Sequence, residues 1–544
     1  MLLLLLLLPF LLISCTTTQS PDGPTVQGRR EFEQLKYRNP DQGAIPEGIR
    51  ERELAFAARL QNDVLGGNKD VEDIQSFGQW KSNGPWNIGG RTRAGAFDVR
   101  DPKTIIIGAV SGGIWRSTNE GGSWTLQTKP EQLHSVACLA QDTRTGHEDT
   151  WYAGTGEIYG NSAQISGNGI LKSTDNGASW KPLASTVSTS TPASHQFAYT
   201  WRILVHPLRD TQEVYVATAR SGVHKSVDGG ATWKTTISSN ALFSEIIVTP
   251  NGTLYAAFSG YTGTVGAVSS RWGIYKSTDG VTWSNVTPPD MRNDVKRIVL
   301  APIPQSPDGI YALSETPGQG AKGSTLYRGE ERFEWHSLWR NGAANQPAGE
   351  WTNISQSLPL TDEQRGDFYS QGGYDLLVKV SPHDPNVVVV GGTNLYVSTD
   401  GFATATKWNW IGGYWKPTPS FDKYTSYINH HPDQHDVFFH PTRPLTMVSI
   451  NDGGIYRTDD VRAENVAWTD LNRGYLTTQF YTVDIDQADA SQRVVGGMQD
   501  NSVWMTSTDS TEASWKRIGG GDGAYSYFAD NGKTLYYSSQ QGRV

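Results

Sequence analysis

Gly169–Trp180 reads GILKSTDNGASW, and its phrasing recurs along the chain. Close copies are GIWRSTNEGGSW (Gly113–Trp124), GVHKSVDGGATW (Gly222–Trp233) and the one-residue-shorter GIYKSTDGVTW (Gly273–Trp283). Looser copies are LYVSTDGFAT (Leu395–Thr404), GIYRTDD followed by Trp468, and VWMTSTDSTEASW (Val503–Trp515). The leading serines 117, 173, 226 and 277 stand 56, 53 and 51 positions apart, a period that signifies an array of small similar sheets. The phrase is turn chemistry. Asp175, Asp228, Asp279 and Asp400 can accept backbone N–H hydrogen bonds across a hairpin, and Gly177 or Gly230 takes the positive φ the turn needs. The tryptophan then packs under the turn.

These turns resemble the Asp boxes of the BNR-repeat proteins, whose relatives include sortilin-like receptors, sialidases and family 74 glycoside hydrolases. The resemblance implies an all-β propeller of four-stranded blades in which the repeated aspartates are structural. It does not by itself imply an activity, because one fold hosts many.

Composition agrees with a many-turn β protein. Only 37% of the 544 residues are hydrophobic, while 19 Trp, 23 Tyr and 58 Gly supply core aromatics and turns. A formal charge of −9 disfavours nucleic-acid binding and a basic membrane-facing patch. Leu2–Ile13 is an apolar run too short to span a bilayer, and Leu12-Ile13-Ser14-Cys15 resembles a bacterial lipobox, although no Lys or Arg precedes the run. The expectation is an exported envelope protein anchored by lipidated Cys15, with ordinary secretion as the alternative. Buried Cys138 would then lack an intrachain partner.

The chain divides into a leader (1–14), a polar tether (15–45), a segment with one amphipathic helix expected to pack on the propeller (46–79), the propeller (80–522) and a partial further blade (523–544). The helix expectation rests on the spacing of Ile49, Leu54, Phe56, Leu60, Val64 and Leu65. Blade one reads as strands at Arg93–Val99, Thr104–Val110, Gly113–Ser117 and Trp124–Gln127. Later first strands are expected near Leu139, Arg202, Glu245, Arg297, Asp375, His435 and Phe480. Eight units result, closing as seven or eight blades. The ragged ninth suggests truncation, or the start of a second ring, since an open blade edge is unfavourable.

In an antiparallel blade the strand two/three turns and the blade links share one face, opposite the Asp boxes. Insertions at Gly154–Gly169, Ser259–Gly273 and Ser314–Thr325 fall there. So does the link 409–435 with its neighbouring aromatics, which include Trp408, Trp410, Tyr414, Trp415, Tyr424 and Tyr427. Exposed, these would stack on sugar rings or dock a peptide; buried, they would anchor the loop. His431, Asp433 and His435 alternate and would share one side of an extended segment, either as metal ligands or as hydrogen-bonded loop residues. Aligned turns place Ser111, Arg220, Asp452 and Asp500 equivalently, and Glu157 opens the blade-two insertion on the same face. Two carboxylates are what glycoside hydrolysis requires, although Asp-Gly and Asp-Asn are also ordinary hairpin turns.

The resemblance to family 74 places a catalytic Asp before the blade-one Gly-Gly turn, where this chain has Val110 and Ser111. The expected function is therefore glycan or peptide binding through the aromatic link and Arg220, without a cofactor. The alternatives are a glycoside hydrolase using Asp452, Asp500 or Glu157, and a protein-assembly scaffold.

Overall fold

The computed structural model describes residues 31, 34–35, 37–46, 48–49, 52–56, 59, 82–159, 164–188, 195–327, 330–342, 350–360, 367–415, 425–488 and 491–540. Cys15, Tyr424 and the leader lie outside these residues, as does the side chain of Trp415. A first unit, Met1–Val71 with Gly160–Ala163, carries helical residues at 52–56, with Leu54 half-buried and Phe56 exposed. All described strands belong to a second unit.

That unit is a β-propeller. Its first strands are Thr92–Phe97, Val136–Gln141, Thr200–Val205, Ser244–Val248, Ile298–Pro302, Leu377–Val380 and Gln434–Phe439, each the inner edge of an antiparallel sheet. Second strands such as Ile105–Ala109 and Val214–Thr218 are buried along their whole length, which a run of β-branched residues achieves when neighbouring blades cover both faces. Fourth strands such as Thr125–Leu126 are exposed and form the rim.

The ring closes after seven blades. Phe97, Ile105 and Ile107 of blade one share a core with Phe438, Val448 and Ile450 of blade seven. The Phe97 and Phe438 rings meet edge to face at 5.1 Å. Gly95 permits this approach, because a Cβ there would lie 2.5 Å from the Phe438 ring. The eighth sheet (Phe480–Ile485, Val494–Met498, Val503–Thr506, Lys516–Arg517) stands beyond the ring, followed by the hairpin Gly523–Ala529/Thr534–Ser539. The span 80–522 thus holds one closed ring and a further sheet.

Two local expectations are corrected. Ser314–Thr325 runs into a β-hairpin, in which Ala321–Tyr327 pairs with Glu330–Asn341. Trp408–Gly412 is the fourth strand of blade six, so the following link is shorter than expected.

The repeated turn is built as its chemistry demands. Ser173 Oγ donates to Asp175 Oδ1 (2.7 Å), and Ser179 donates to the same carboxylate through N (2.9 Å) and Oγ (2.5 Å). Gly177 N–H closes on Ser173 Oγ at φ +75°, and Trp180 Nε1 donates to Gly177 O (3.1 Å). Ser226/Asp228/Thr232 and Ser398/Asp400/Thr404 repeat the bonds to the carboxylate, while Asp279 takes the Val281 and Thr282 N–H groups. The Thr232 and Ser226 bonds hold Asp228 down at about 2. Asp175→Ala is expected to cost about 1–2 kcal/mol, the worth of these bonds in a water-accessible turn, read as a lower urea midpoint at an unchanged slope.

Candidate functional site

Two arginines at the start of blade one organise the site. Arg91 and Arg93 flank Thr92 where the first strand begins with a bulge, and both turn to the same side while Thr92 bonds to Gly90 O and Tyr475. Both arginines converge on Glu157, just past the second strand of blade two. Arg91 Nη1 lies 3.0 Å from Glu157 Oε2, and Arg93 Nε lies 2.8 Å from Oε1. The Arg93 guanidinium is sandwiched 4.3 Å from each of the Tyr159 and Tyr374 rings, and its Nη1 donates to Tyr159 OH (3.1 Å). All three charged side chains are buried, which requires this density of partners.

Around this core stand carboxylates from blades six and seven, from a turn within the eighth sheet (Asp500) and from the segment just after it (Asp522). Asp452, in the blade-seven turn, accepts from Tyr374 OH (3.2 Å) and pairs with His435 Nε2. Asp375 and Asp433 are bridged by the Gln371 amide, which donates to both at 2.9 and 2.8 Å. Asp500 Oδ2 lies 3.6 Å from Arg91 Nε, and its backbone N–H donates to Asp522 Oδ1 (3.2 Å). Asn501 Nδ2 reaches back to Asp452 O (2.9 Å), tying the eighth sheet to blade seven. The Asp500 side chain is 20% exposed, whereas that of Asp452 is 2% exposed.

The environments drive these carboxyls apart. Burial would raise Asp452, but the His435 contact and the Arg93 and Arg91 charges outweigh it and hold Asp452 far below the ordinary carboxylate range. Burial, then the charges of Asp452 and Asp522, push Asp500 well up; burial also raises Asp522. Asp375 and Asp433 are raised by burial and by neighbouring carboxylates. Two carboxyl populations with opposite protonation preferences are the pattern of an acid paired with an anion.

The structure thus brings Glu157, Asp452 and Asp500 into one cluster. The aromatic segment is corrected. Trp410 is buried in the blade-six core with Tyr427 packed on it at 4.7 Å, and Trp408 packs edge-on against Tyr396. These side chains complete a blade and do not form an exposed platform. Tyr414 is half-buried, with its backbone N–H donating to Asn394 Oδ1. Arg220 is exposed at a turn beside Gly263, apart from the acidic cluster.

His431, Asp433 and His435 do not converge as ligands. Asp433 adopts φ +63°, which breaks the extended alternation, and His431 Nε2 donates to Asp500 O (3.1 Å). Asp375, His435 and Asp452 do cluster, but Arg93 Nη1 stands 2.5 Å from His435 Nδ1, so a cation fills the space a metal would need. Sequence reasoning missed Arg91, Arg93, Tyr374, Gln371 and Asp522, and it read Asp375 only as a strand position. The available signals were the i, i+2 arginines of GGRTR and the acid within GGGDG.

No family model matches the chain. A xyloglucanase from Paenibacillus sp. is 27% identical over 369 residues, which is 61% of this chain and 33% of that enzyme. A GH74 enzyme from Niastella koreensis superposes with a TM-score of 0.55 at 18% identity, covering 85% of this chain and 68% of that one. The GH74 xyloglucanase from Xanthomonas campestris gives 0.54 at 16%, covering 81% and 62%. The fold is that of the GH74 propellers. The chain spans about a third of the length of the curated relative it matches. Its blade-one turn carries Ser111, whose Oγ lies 3.4 Å from Gln479 Oε1, so the carboxylates here come from other blades.

A stability consequence follows from Asp375. Its folded pKa is raised, so the stability it contributes is complete below the unfolded carboxylate value and is lost as pH rises through the folded one. Asp375→Asn, which keeps an acceptor for Gln371, is expected to flatten this loss. The expected result is a urea midpoint above wild type at pH 8 and close to it at pH 4.

Proposed function

We propose that the chain carries a glycoside hydrolase site for a neutral polysaccharide, with xyloglucan the substrate class suggested by the Paenibacillus relative. The observation that carries this reading is the pairing of an ionised, arginine-held Asp452 with the partly exposed Asp500, whose proton affinity is raised. Asp500, with Asp522 beside it, is suited to protonate a leaving glycosidic oxygen. Asp452 is suited to stabilise the positive charge that develops on the sugar ring. Glu157 is committed through both oxygens to Arg91 and Arg93, so its role is to hold those arginines. The net charge of −9 agrees with an uncharged ligand.

The binding reading loses its main support because Trp410 belongs to the blade-six core. An envelope location remains part of the proposal through the lipobox at Cys15. Cys15→Ser is expected to move the protein from the membrane fraction to the soluble fraction on cell lysis; unchanged partition would remove the anchor.

Reducing-end release from xyloglucan tests the activity. Asp500→Asn is expected to lower kcat/KM by roughly 10²- to 10⁴-fold with circular dichroism unchanged, the usual contribution of a general acid. Asp452→Asn is expected to lower kcat more than it changes KM. Full activity in both variants would reject the assignment, and absence of release by the wild-type chain across β-glucans would reject the hydrolase.

A further inference from the structure

We infer that Arg93 and His435 are positioning residues that hold Asp452 as an anion through one fixed imidazole tautomer. This rests on the hydrolase reading for its functional meaning, but its geometry is independent of it. An arginine has only donors. Its Nη1 lies 2.5 Å from His435 Nδ1, so Nδ1 must be the unprotonated nitrogen. The single ring proton then sits on Nε2 and is donated to Asp452 Oδ1. A proton on Nδ1 would face the guanidinium; the nearest acceptor there, Asp375 Oδ1, is 3.7 Å away.

The surroundings enforce this state from every side. His435 is 6% exposed, with the Tyr374 ring edge-on at 5.3 Å. Arg93 is itself pinned by Glu157 Oε1, the Tyr159 hydroxyl and the two tyrosine faces, so it cannot swing away to admit a second imidazole proton. The charged groups facing His435 are Arg93, Asp452, Asp375 and Glu157. Burial, then Arg93, lowers its proton affinity to about 4, consistent with a ring that stays neutral.

The consequence is a one-way relay. Glu157 orients Arg93, Arg93 selects the His435 tautomer, and His435 together with Tyr374 directs two neutral donors at Asp452. Neutral donors stabilise the anion without a mobile proton that Asp452 could take. Asp452 therefore keeps its negative charge next to Asp500, which helps to keep Asp500 protonated.

The test uses the full chain with ¹⁵N-labelled histidine. Long-range ¹H–¹⁵N spectra of wild type and His435→Gln identify the His435 signals by difference. The expected result is an unprotonated Nδ1 and a protonated Nε2, unchanged from pH 8 to pH 5. A protonated Nδ1, or a ring that becomes cationic in that interval, would overturn the inference whether or not the chain hydrolyses a glycan. In xyloglucan hydrolysis, His435→Phe is expected to lower kcat by roughly 10- to 100-fold with KM nearly unchanged, the loss of one hydrogen bond to a charged group. His435→Gln, which retains an N–H donor, is expected to recover part of it. Equal kcat in wild type and His435→Phe would remove the positioning role, while activity missing from wild type as well would indict the hydrolase reading and leave the tautomer result standing.

Discussion

The buried contact of Arg91 and Arg93 with Glu157 is the constraint on which the axial end of this propeller depends. Three charges are withdrawn from water there, at a cost of several kcal/mol each before compensation. The compensation comes from parts of the chain that lie far apart: Tyr159 from blade two, Tyr374 from the lead-in to blade six, His435 from blade seven and Gln479 ahead of the eighth sheet. None of these segments can shift alone without exposing or orphaning a charge. The network therefore fixes how the inner ends of the blades meet, while the apolar second strands fix how their faces pack.

Two kinds of order coexist. The repeated Ser-x-Asp turns sit opposite the acidic cluster, and local hydrogen bonds hold Asp175, Asp228 and Asp279 below the ordinary carboxylate range. At the other end the carboxylates are crowded, desolvated and driven in opposite directions by their neighbours. The first arrangement is a means of building blades. The second gathers carboxyls of opposite protonation preference in one place, which is what marks it as a candidate site.

Legibility in the sequence follows the same division. Turn phrases were readable because each depends on residues two to four positions apart, and the blade starts near Arg202, Glu245 and His435 fall within two residues of the observed strands. Aligning the turns also put Asp452 and Asp500 at one end of their sheets, since a turn keeps its register from blade to blade. Trp410 could not be read this way: it is buried in a core shared with Tyr396, Phe368 and Leu338, which come from other parts of the sequence. The arginines and Tyr374 were equally silent. Their significance lies in convergence across nearly three hundred positions, such as the 283-residue separation of Arg91 and Tyr374, and no local pattern encodes it.

The eighth sheet gives the site a temporal order. Gly497 and Gly523 face one another so closely that a Cβ on either would strike backbone, and this bare contact seats Asp522 beside Asp500. The ring itself is complete by Leu471, whose carbonyl receives the Trp124 indole N–H at 2.7 Å. As the chain emerges from the ribosome, Asp375, Asp433 and Asp452 are thus available to fold first, and Asp500 and Asp522 join them only when the next sheet docks. The last two carboxyls are kept out of the cluster until the ring that receives them is settled.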